Sequence, residues 1–315
     1  MKCHSEPNLS RLREKARYPS GEVVYMTNDY NSPEIRYNSR TKILKFSGSI
    51  MYLYQSHNFS FDMRDFIAAI ESLSQSVGVN LWAAVVEEFE FGVVMEVDTK
   101  PQILIAHHPD GKKLKTFDNP TDNGRLRTYT DTSVRLKLYD AGANIIKKIR
   151  KPHRQAALDA GWNPNRYYLK LEAHYRQPHK TFNNGRNLTL RDLTDPARIE
   201  QFRNDLYKQY KRLRPMKTLV TPSDKKDLSA AEILLMELAE THINSGMSIQ
   251  KVRKRLYQRT NSLSKTLSTS DKDARKRTIK TWIDKLQFEE KSRFDLSEPL
   301  AEMLGISAEN SRMEQ

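Results

Sequence analysis

The run Glu88-Phe89-Glu90-Phe91-Gly92-Val93-Val94-Met95-Glu96-Val97-Asp98 alternates with a period of two, the pattern of a strand covered on one face. Phe89, Phe91, Val93, Met95 and Val97 fall on one side and can enter a core. Glu88, Glu90, Gly92, Val94, Glu96 and Asp98 fall on the other. Such a strand holds several carboxylates in a row, with a glycine among them where another chain can come close. Two readings are open: the metal-binding edge of an active site, or a solvated edge strand with ordinary surface glutamates.

The same alternation recurs twice downstream. At the end of the run from Leu126 to Tyr139, Val134, Leu136 and Leu138 oppose Arg135, Lys137 and Tyr139. Between Tyr167 and Arg176, Tyr167, Leu169, Leu171, Ala173 and Tyr175 oppose Tyr168, Lys170, Glu172, His174 and Arg176. If the three runs share a sheet with helices over its apolar side, their polar faces form a groove lined by acids, bases and a tyrosine. Shorter strands are expected at Glu22 to Thr27 and at Thr41 to Ser47, the latter continuing past Gly48 into Ile50 to Tyr54. Met63, Phe66, Ile67, Ile70, Leu73 and Val77 are spaced as one helical stripe, with Ser60 or Asp62 to cap it and Gly78 to end it. A short helix or strand is expected from Pro101 to Ala106, and a basic helix after Tyr139. Another helix runs from Pro196 to about Leu213 and buries Ile199, Phe202, Leu206 and Tyr210.

Beyond a linker at 216–227 the pattern turns wholly helical. Ser229-x-x-Glu232 is a capping box, opening a helix expected to bury Leu234, Leu235 and Leu238. Ser248 caps a second helix with Ile249, Val252 and Leu256 inside, and Ile279, Trp282, Ile283 and Leu286 mark a third. The expected class is therefore α+β: an N-terminal domain with a mostly antiparallel sheet covered by helices on one face, then an all-α C-terminal region. Residues 1–20 read as a flexible tail, 21–215 as the α+β domain, 228–290 as a helical domain with a helix–turn–helix look, and 291–315 as a second tail.

Composition narrows the partners. Fifty-three Lys and Arg face 39 Asp and Glu, a formal charge of +14, and the isoelectric point near 9.6 suits a polyanion. A single cysteine, Cys3, excludes an internal disulfide and a multi-cysteine zinc site, as in a reducing compartment. No segment has the length of apolar sequence that spans a bilayer, and the charged N-terminus predicts no signal peptide, so a cytoplasmic, membrane-free protein is expected. Residues 135–154 hold seven Lys or Arg against one acid, Asp140. Arg135, Lys147, Lys148, Arg150 and Lys151 are candidate DNA contacts, joined by Arg253 and Lys254 of the second C-terminal helix and Arg275 and Arg277 of the third.

The combination of acid, tyrosine and base on neighbouring strands points to phosphoryl chemistry. A tyrosine hydroxyl is a weak nucleophile near neutral pH. Lys137 and Arg135 beside Tyr139 could favour its phenolate and bind a phosphate. Glu90, Glu172 and Glu96 are candidate ligands for Mg²⁺ or Mn²⁺, hard cations that prefer oxygen and stabilise charge on a scissile phosphate.

Several runs resemble the replication initiators of rolling-circle plasmids and filamentous-type phages. They are Gly48-Ser49-Ile50, His57-Asn58-Phe59 with Phe61, Glu90-Phe91-Gly92-Val93, Leu136-Lys137-Leu138-Tyr139-Asp140 and Leu169-Lys170-Leu171-Glu172, in that order over roughly residues 42 to 212. The resemblance implies a protein that nicks one strand at an origin, its tyrosine becoming joined to the 5′ phosphate and a 3′ hydroxyl left to prime synthesis. It implies DNA, single- or double-stranded, as partner, with a host helicase and a homodimer as further associations. Carried over by position, Glu90 and Glu172 are metal ligands and Tyr139 the nucleophile, with Tyr168 as fallback. Ala141 stands where the family pattern usually has lysine, Asn144 where an acid often follows, and Val94 where asparagine is common. A non-catalytic DNA-binding descendant is the competing reading; a water-dependent phosphodiesterase is a variant, and RNA binding ranks low.

Overall fold

The structure, a computed structural model, describes residues 6–10, 12–26, 33–55, 57–118, 122–148, 154–217, 229–244, 247, 249–262, 267–286 and 294–306. They fall into two compact units, one drawn from 1–106, 110–213 and 297–315, the other from 107–109 and 214–296.

The first unit is mixed α and β, with two larger antiparallel sheets rather than one among the described residues, besides a short two-stranded pairing. β1 (Arg13–Arg17), β2 (Glu22–Met26), β3 (Glu34–Asn38) and β4 (Ile43–Ser47) form a meander in which each strand pairs with the next. β1 lies inside the stretch expected to be a loose tail. After β4 the chain does not continue as a strand. Gly48 adopts φ +124°, Ser49 Oγ accepts from the Tyr52 amide at 3.3 Å, and Ile50–Gln55 coils into α1. The side-chain cap and the glycine outweigh the strand-like composition of this run.

α2 (Met63–Val77) starts on Asp62, whose carboxylate accepts from the Arg64 amide, and ends on Gly78 in the left-handed region at φ +64°. Its buried Ile70, Leu73 and Val77 pack with Ile35, Tyr37 and Leu44 of the meander and with Leu81. Next come β5 (Phe89–Val97), α3 (Pro101–Ala106), β6 (Asp110–Gly111), β7 (Lys115–Asp118), β8 (Leu126–Thr130) and β9 (Val134–Asp140). The order continues with α4 (Ala141–Lys148), α5 (Arg154–Asp159), β10 (Tyr167–Tyr175), α6 (Pro178–Phe182), α7 (Pro196–Lys211) and β11 (Leu213–Arg214). The second sheet has the order β5-β10-β9-β8-β7, all pairs antiparallel.

The three alternating runs are thus adjacent, with β10 between β5 and β9. Leu169, Leu171, Ala173, Tyr175, Leu136 and Leu138 are all at most 1 % exposed, as the period of two requires. On this side Phe89 stacks on Tyr175 at 5.1 Å between ring centroids, and Phe182 and Phe202 close an aromatic cluster. α7 supplies Phe202, Leu206 and Tyr210 to that core, capped by Asp195. The Tyr175 hydroxyl donates to Asp205 at 2.8 Å. α11 (Ser297–Leu304) also packs on α7 and β5, with Leu300 and Leu304 buried, so part of the expected C-terminal tail is a core helix.

The second unit holds α8 (Ala230–Asn244), α9 (Ile249–Ser262) and α10 (Thr269–Asp284). The Ser229–Glu232 box forms, with the Glu232 amide donating to Ser229 Oγ and the Ser229 amide to Glu232 Oε2. Ala239, Trp282 and Ile283 make its core with Leu235, Ile249 and Leu256. Leu234 and Leu238, expected inside, are 67 % and 41 % exposed, because α8 turns its Leu235–Ala239 side to the other helices. The Ser248 cap and most of the 216–227 linker lie outside the described residues.

The glycine of the acidic strand has a definite purpose. A Cβ at Gly92 would lie 2.5 Å from the Leu171 carbonyl oxygen and 2.9 Å from Glu172 Cα, so β10 is the chain that comes close. Gly92→Ala is expected to lose about 1–3 kcal/mol, the cost of forcing an extra carbon into a packed contact. Urea unfolding followed by circular dichroism would measure it; unchanged stability would show that the two backbones separate freely.

Candidate functional site

Residues directly opposed in an antiparallel pair project to the same face. The register sets His174 between Glu90 and Arg135, Glu172 between Gly92 and Lys137, and Lys170 between Val94 and Tyr139. The polar side of β5, β10 and β9 is therefore a grid of acids and bases, with a tyrosine at one corner.

At its centre is Glu172, 5 % exposed. Lys137 Nζ lies 3.1 Å from Glu172 Oε1 and 2.5 Å from Glu90 Oε1, bridging the two carboxylates. Lys170 Nζ is 3.0 Å from Glu172 Oε2, and the Tyr139 hydroxyl donates to the same oxygen at 3.2 Å. Burial alone would raise the Glu172 carboxyl, but the ammonium groups of Lys170 and Lys137 outweigh it and hold it down to about 2. Burial works against the charge of Lys137 as well, and Glu172 and Glu90 reverse that effect, leaving its pKa raised. Tyr139 is half-buried; burial first, then the Glu172 charge and its hydrogen bond, push the phenol far above its ordinary value. The Lys170 ammonium lies 5.9 Å from the Tyr139 ring centroid, within cation–π range.

A second layer comes from α1 and the segment after it. The Tyr52 hydroxyl donates to Asn58 Oδ1 at 2.9 Å, and burial followed by the Glu172 charge pushes its pKa up to about 12. His57, 5 % exposed, accepts from the Phe59 amide through Nδ1 at 3.3 Å, and burial lowers its pKa against the pull of Asp65. Phe59 meets the Tyr168 ring edge-on at 5.0 Å. Lys170, Tyr52 and Asn58 were not among the candidates read from sequence. Lys170 could have been found, since it shares the polar face with Glu172; Tyr52 could not while its run was read as a strand.

The other candidates separate. Glu96 pairs with Arg166 at 2.6 Å, in the row of Tyr168, away from the Glu90–Lys137–Glu172 bridge. Glu88 takes His174 Nε2 at 2.8 Å. Tyr168 is buried with Ala141, Ile145, Ala157, Trp162, Phe59 and Val94, and its hydroxyl accepts from the Asn163 amide at 3.2 Å. As a fallback nucleophile it is poorly placed. Val94, standing where the resembled family has asparagine, belongs to that apolar cluster. Asp140 caps α4, accepting from the Ala143 amide at 2.8 Å, and takes Gln102 Nε2 at 3.1 Å.

Among the candidate DNA contacts, Arg135 sits on the polar face of β9. Lys147 is on α4, 3.5 Å from Asp122, and Lys148 is at the end of that helix. Arg150 and Lys151 lie outside the described residues. In the second unit Arg253 and Lys254 are on α9, Arg275 and Arg277 on α10, all but the half-buried Arg253 exposed.

The donor set fits Mg²⁺ or Mn²⁺ poorly. These cations want several oxygens with free lone pairs, whereas both Glu172 oxygens and one Glu90 oxygen already face ammonium groups. Among the described residues, no group of three or more His, Cys, Asp or Glu side chains is arranged to hold a metal. Lys137 and Lys170 supply the positive charge that a cation would bring.

The low Glu172 pKa has a signed consequence. Against an ordinary value of 4.5, its stabilisation is complete above the unfolded-state pKa and is lost as pH falls from about 4.5 towards 2. Glu172→Gln should flatten the acid loss of stability in that window. At neutral pH it should cost about 3 kcal/mol, because half-buried Lys170 loses its counter-charge and Lys137 is left with Glu90 alone. Urea titrations between pH 2 and 7 would show both, and an identical pH profile would mean that the network contributes nothing.

Comparison of the chain with protein-family models, curated proteins and solved structures finds no match.

Proposed function

We propose that this protein is a DNA-nicking replication initiator of a plasmid, phage or mobile element, with Tyr139 as its nucleophile. The observation that supports it is the meeting of Tyr139, Glu172, Lys137 and Glu90 on one sheet face, residues drawn from three separate runs. The ordered likeness of those runs to rolling-circle initiators points the same way.

In this reading the Tyr139 oxygen attacks the phosphorus, the bond to the 3′ oxygen breaks, and the 5′ phosphate stays on the tyrosine. The tyrosine proton passes to Glu172 Oε2, its hydrogen-bond acceptor, and the 3′ oxygen takes a proton from solvent. In the resting state this transfer is uphill, since the carboxyl is held low and the phenol high. A phosphodiester entering beside Lys137 and Lys170 competes for their ammonium groups, which loosens the clamp on Glu172 and raises its basicity. The same ammonium groups then stabilise charge on the phosphorane.

The second reading is a DNA-binding protein that does not cut. It is favoured by one observation: Glu172 is satisfied on both oxygens, as in a structural network, and the resting phenol is far from ionisation. Strand cleavage separates the two. A supercoiled plasmid carrying the chain's own gene and its flanking DNA, incubated with Mg²⁺, Mn²⁺ or chelator, is expected to give open circles with protein attached to a 5′ end. Tyr139→Phe should reduce this at least about 100-fold, as loss of a nucleophile does, while Tyr168→Phe keeps it. Equal nicking by parent and Tyr139→Phe would remove Tyr139 from the role, and no nicking under any condition would leave the binding reading.

A further inference from the structure

The polar side of the second sheet continues past Lys137 onto β8 and β7, where its character changes. His174, Arg135, Thr130 and Lys115 form one cross-strand row; Glu172, Lys137, Thr128 and Phe117 form the next. Phe117 thus faces the same way as Lys137, and it is 55 % exposed on an edge strand. Arg176, two residues beyond His174, donates to Thr130 Oγ1 at 3.2 Å. Among the described residues, Arg135, Arg176 and Lys115 have no carboxylate partner. Lys137, one row away, is fully engaged. The cations around Thr130 are therefore open to an outside anion, and a bare aromatic ring stands beside them.

The geometry points to a single-strand-binding strip here: an unpaired DNA base stacks on Phe117 while Arg135, Arg176 and Lys115 meet the neighbouring phosphates. In a duplex the base faces are hidden in the stack and must be pried apart at a cost of a few kcal/mol, so an exposed ring favours an unpaired strand. Strands are about 4.8 Å apart and residues about 3.4 Å apart along them, which places Phe117 roughly 12 Å from Tyr139, within reach of a short run of nucleotides. The strip would hold the strand whose phosphodiester is presented to Tyr139. In naming DNA rather than RNA it rests on the reading given under Proposed function.

The test is fluorescence anisotropy with the full chain and a labelled mixed-sequence oligonucleotide, as single-stranded DNA, as duplex and as RNA. Single-stranded DNA is expected to bind tightest. Phe117→Ala should weaken it about 5-fold or more while Phe117→Trp retains it, the signature of stacking. Arg135→Ala should lower the magnitude of the salt slope on the single strand by about 0.7, one phosphate contact. Unchanged affinity of Phe117→Ala, or tighter binding of duplex or RNA, overturns the proposal. The two readings fail separately. Binding through Phe117 without plasmid nicking removes only the cleavage role, whereas nicking by a parent whose Phe117→Ala variant binds normally removes only the strip.

Discussion

A carboxylate on the central strand of a sheet, almost wholly removed from water, is the constraint on which this unit depends. Left alone, the Glu172 charge would cost several kcal/mol. It is tolerated because Lys137 reaches it from β9, Lys170 from its own strand, and Tyr139 gives it a hydrogen bond. A slip of one residue in either neighbouring strand would send these partners to the apolar side and bring Leu136 or Val93 up in their place. The need to satisfy Glu172 and the need to bury Leu171 beside it select the same register. Gly92 completes the arrangement, since only a residue without a side chain lets β5 lie so close to the backbone that carries Glu172.

The electrostatics of the sheet face follow from this. Around Glu172 positive charge is spent internally, and the Tyr139 phenol is held firmly protonated. On the same face towards β8 and β7, Arg135, Arg176 and Lys115 have no carboxylate partner among the described residues. One face thus combines a satisfied, rigid polar centre with an open basic margin carrying Phe117. An incoming phosphodiester would meet the open margin first and reach the clamped centre only by taking the place of a carboxylate. In the proposed reading, that order of events would tie strand capture to the release of Glu172 as a base.

Legibility varied along the chain for physical reasons. The alternating runs could be read because each is buried on one side, and burial imposes a strict period. The caps of α2 and α8 were equally plain, since Asp62 and the Ser229–Glu232 pair stand at the helix starts. By contrast Ile50–Gln55 is rich in residues that suit a strand, and its helix depends on Gly48 and Ser49 as a start signal. Arg13–Arg17 has almost no apolar residue, so nothing in its own composition marks it as β1; it is ordered by pairing with β2. α8 has leucines on more than one side, and the choice of Leu235 and Ala239 as the inner face was made by the other two helices.

The amino-acid sequence by itself determined which side chains share a face: Glu90 on one strand, Lys137 with Tyr139 on another, Lys170 with Glu172 on a third, each opposite a core-forming set. Local periodicity is enough for that, because it reports burial. Only the tertiary structure decided which of these groups meet. Register joined Glu90 to Glu172 through Lys137 and sent Glu96 to Arg166, and packing against Phe59, Ala141, Ile145, Ala157 and Trp162 buried Tyr168. The acidic strand supplies one end of a lysine bridge, where its pattern alone left open a metal-binding edge or a solvated one. Pairing energies between strands depend on neighbours far apart in the chain, and no single run carries that information.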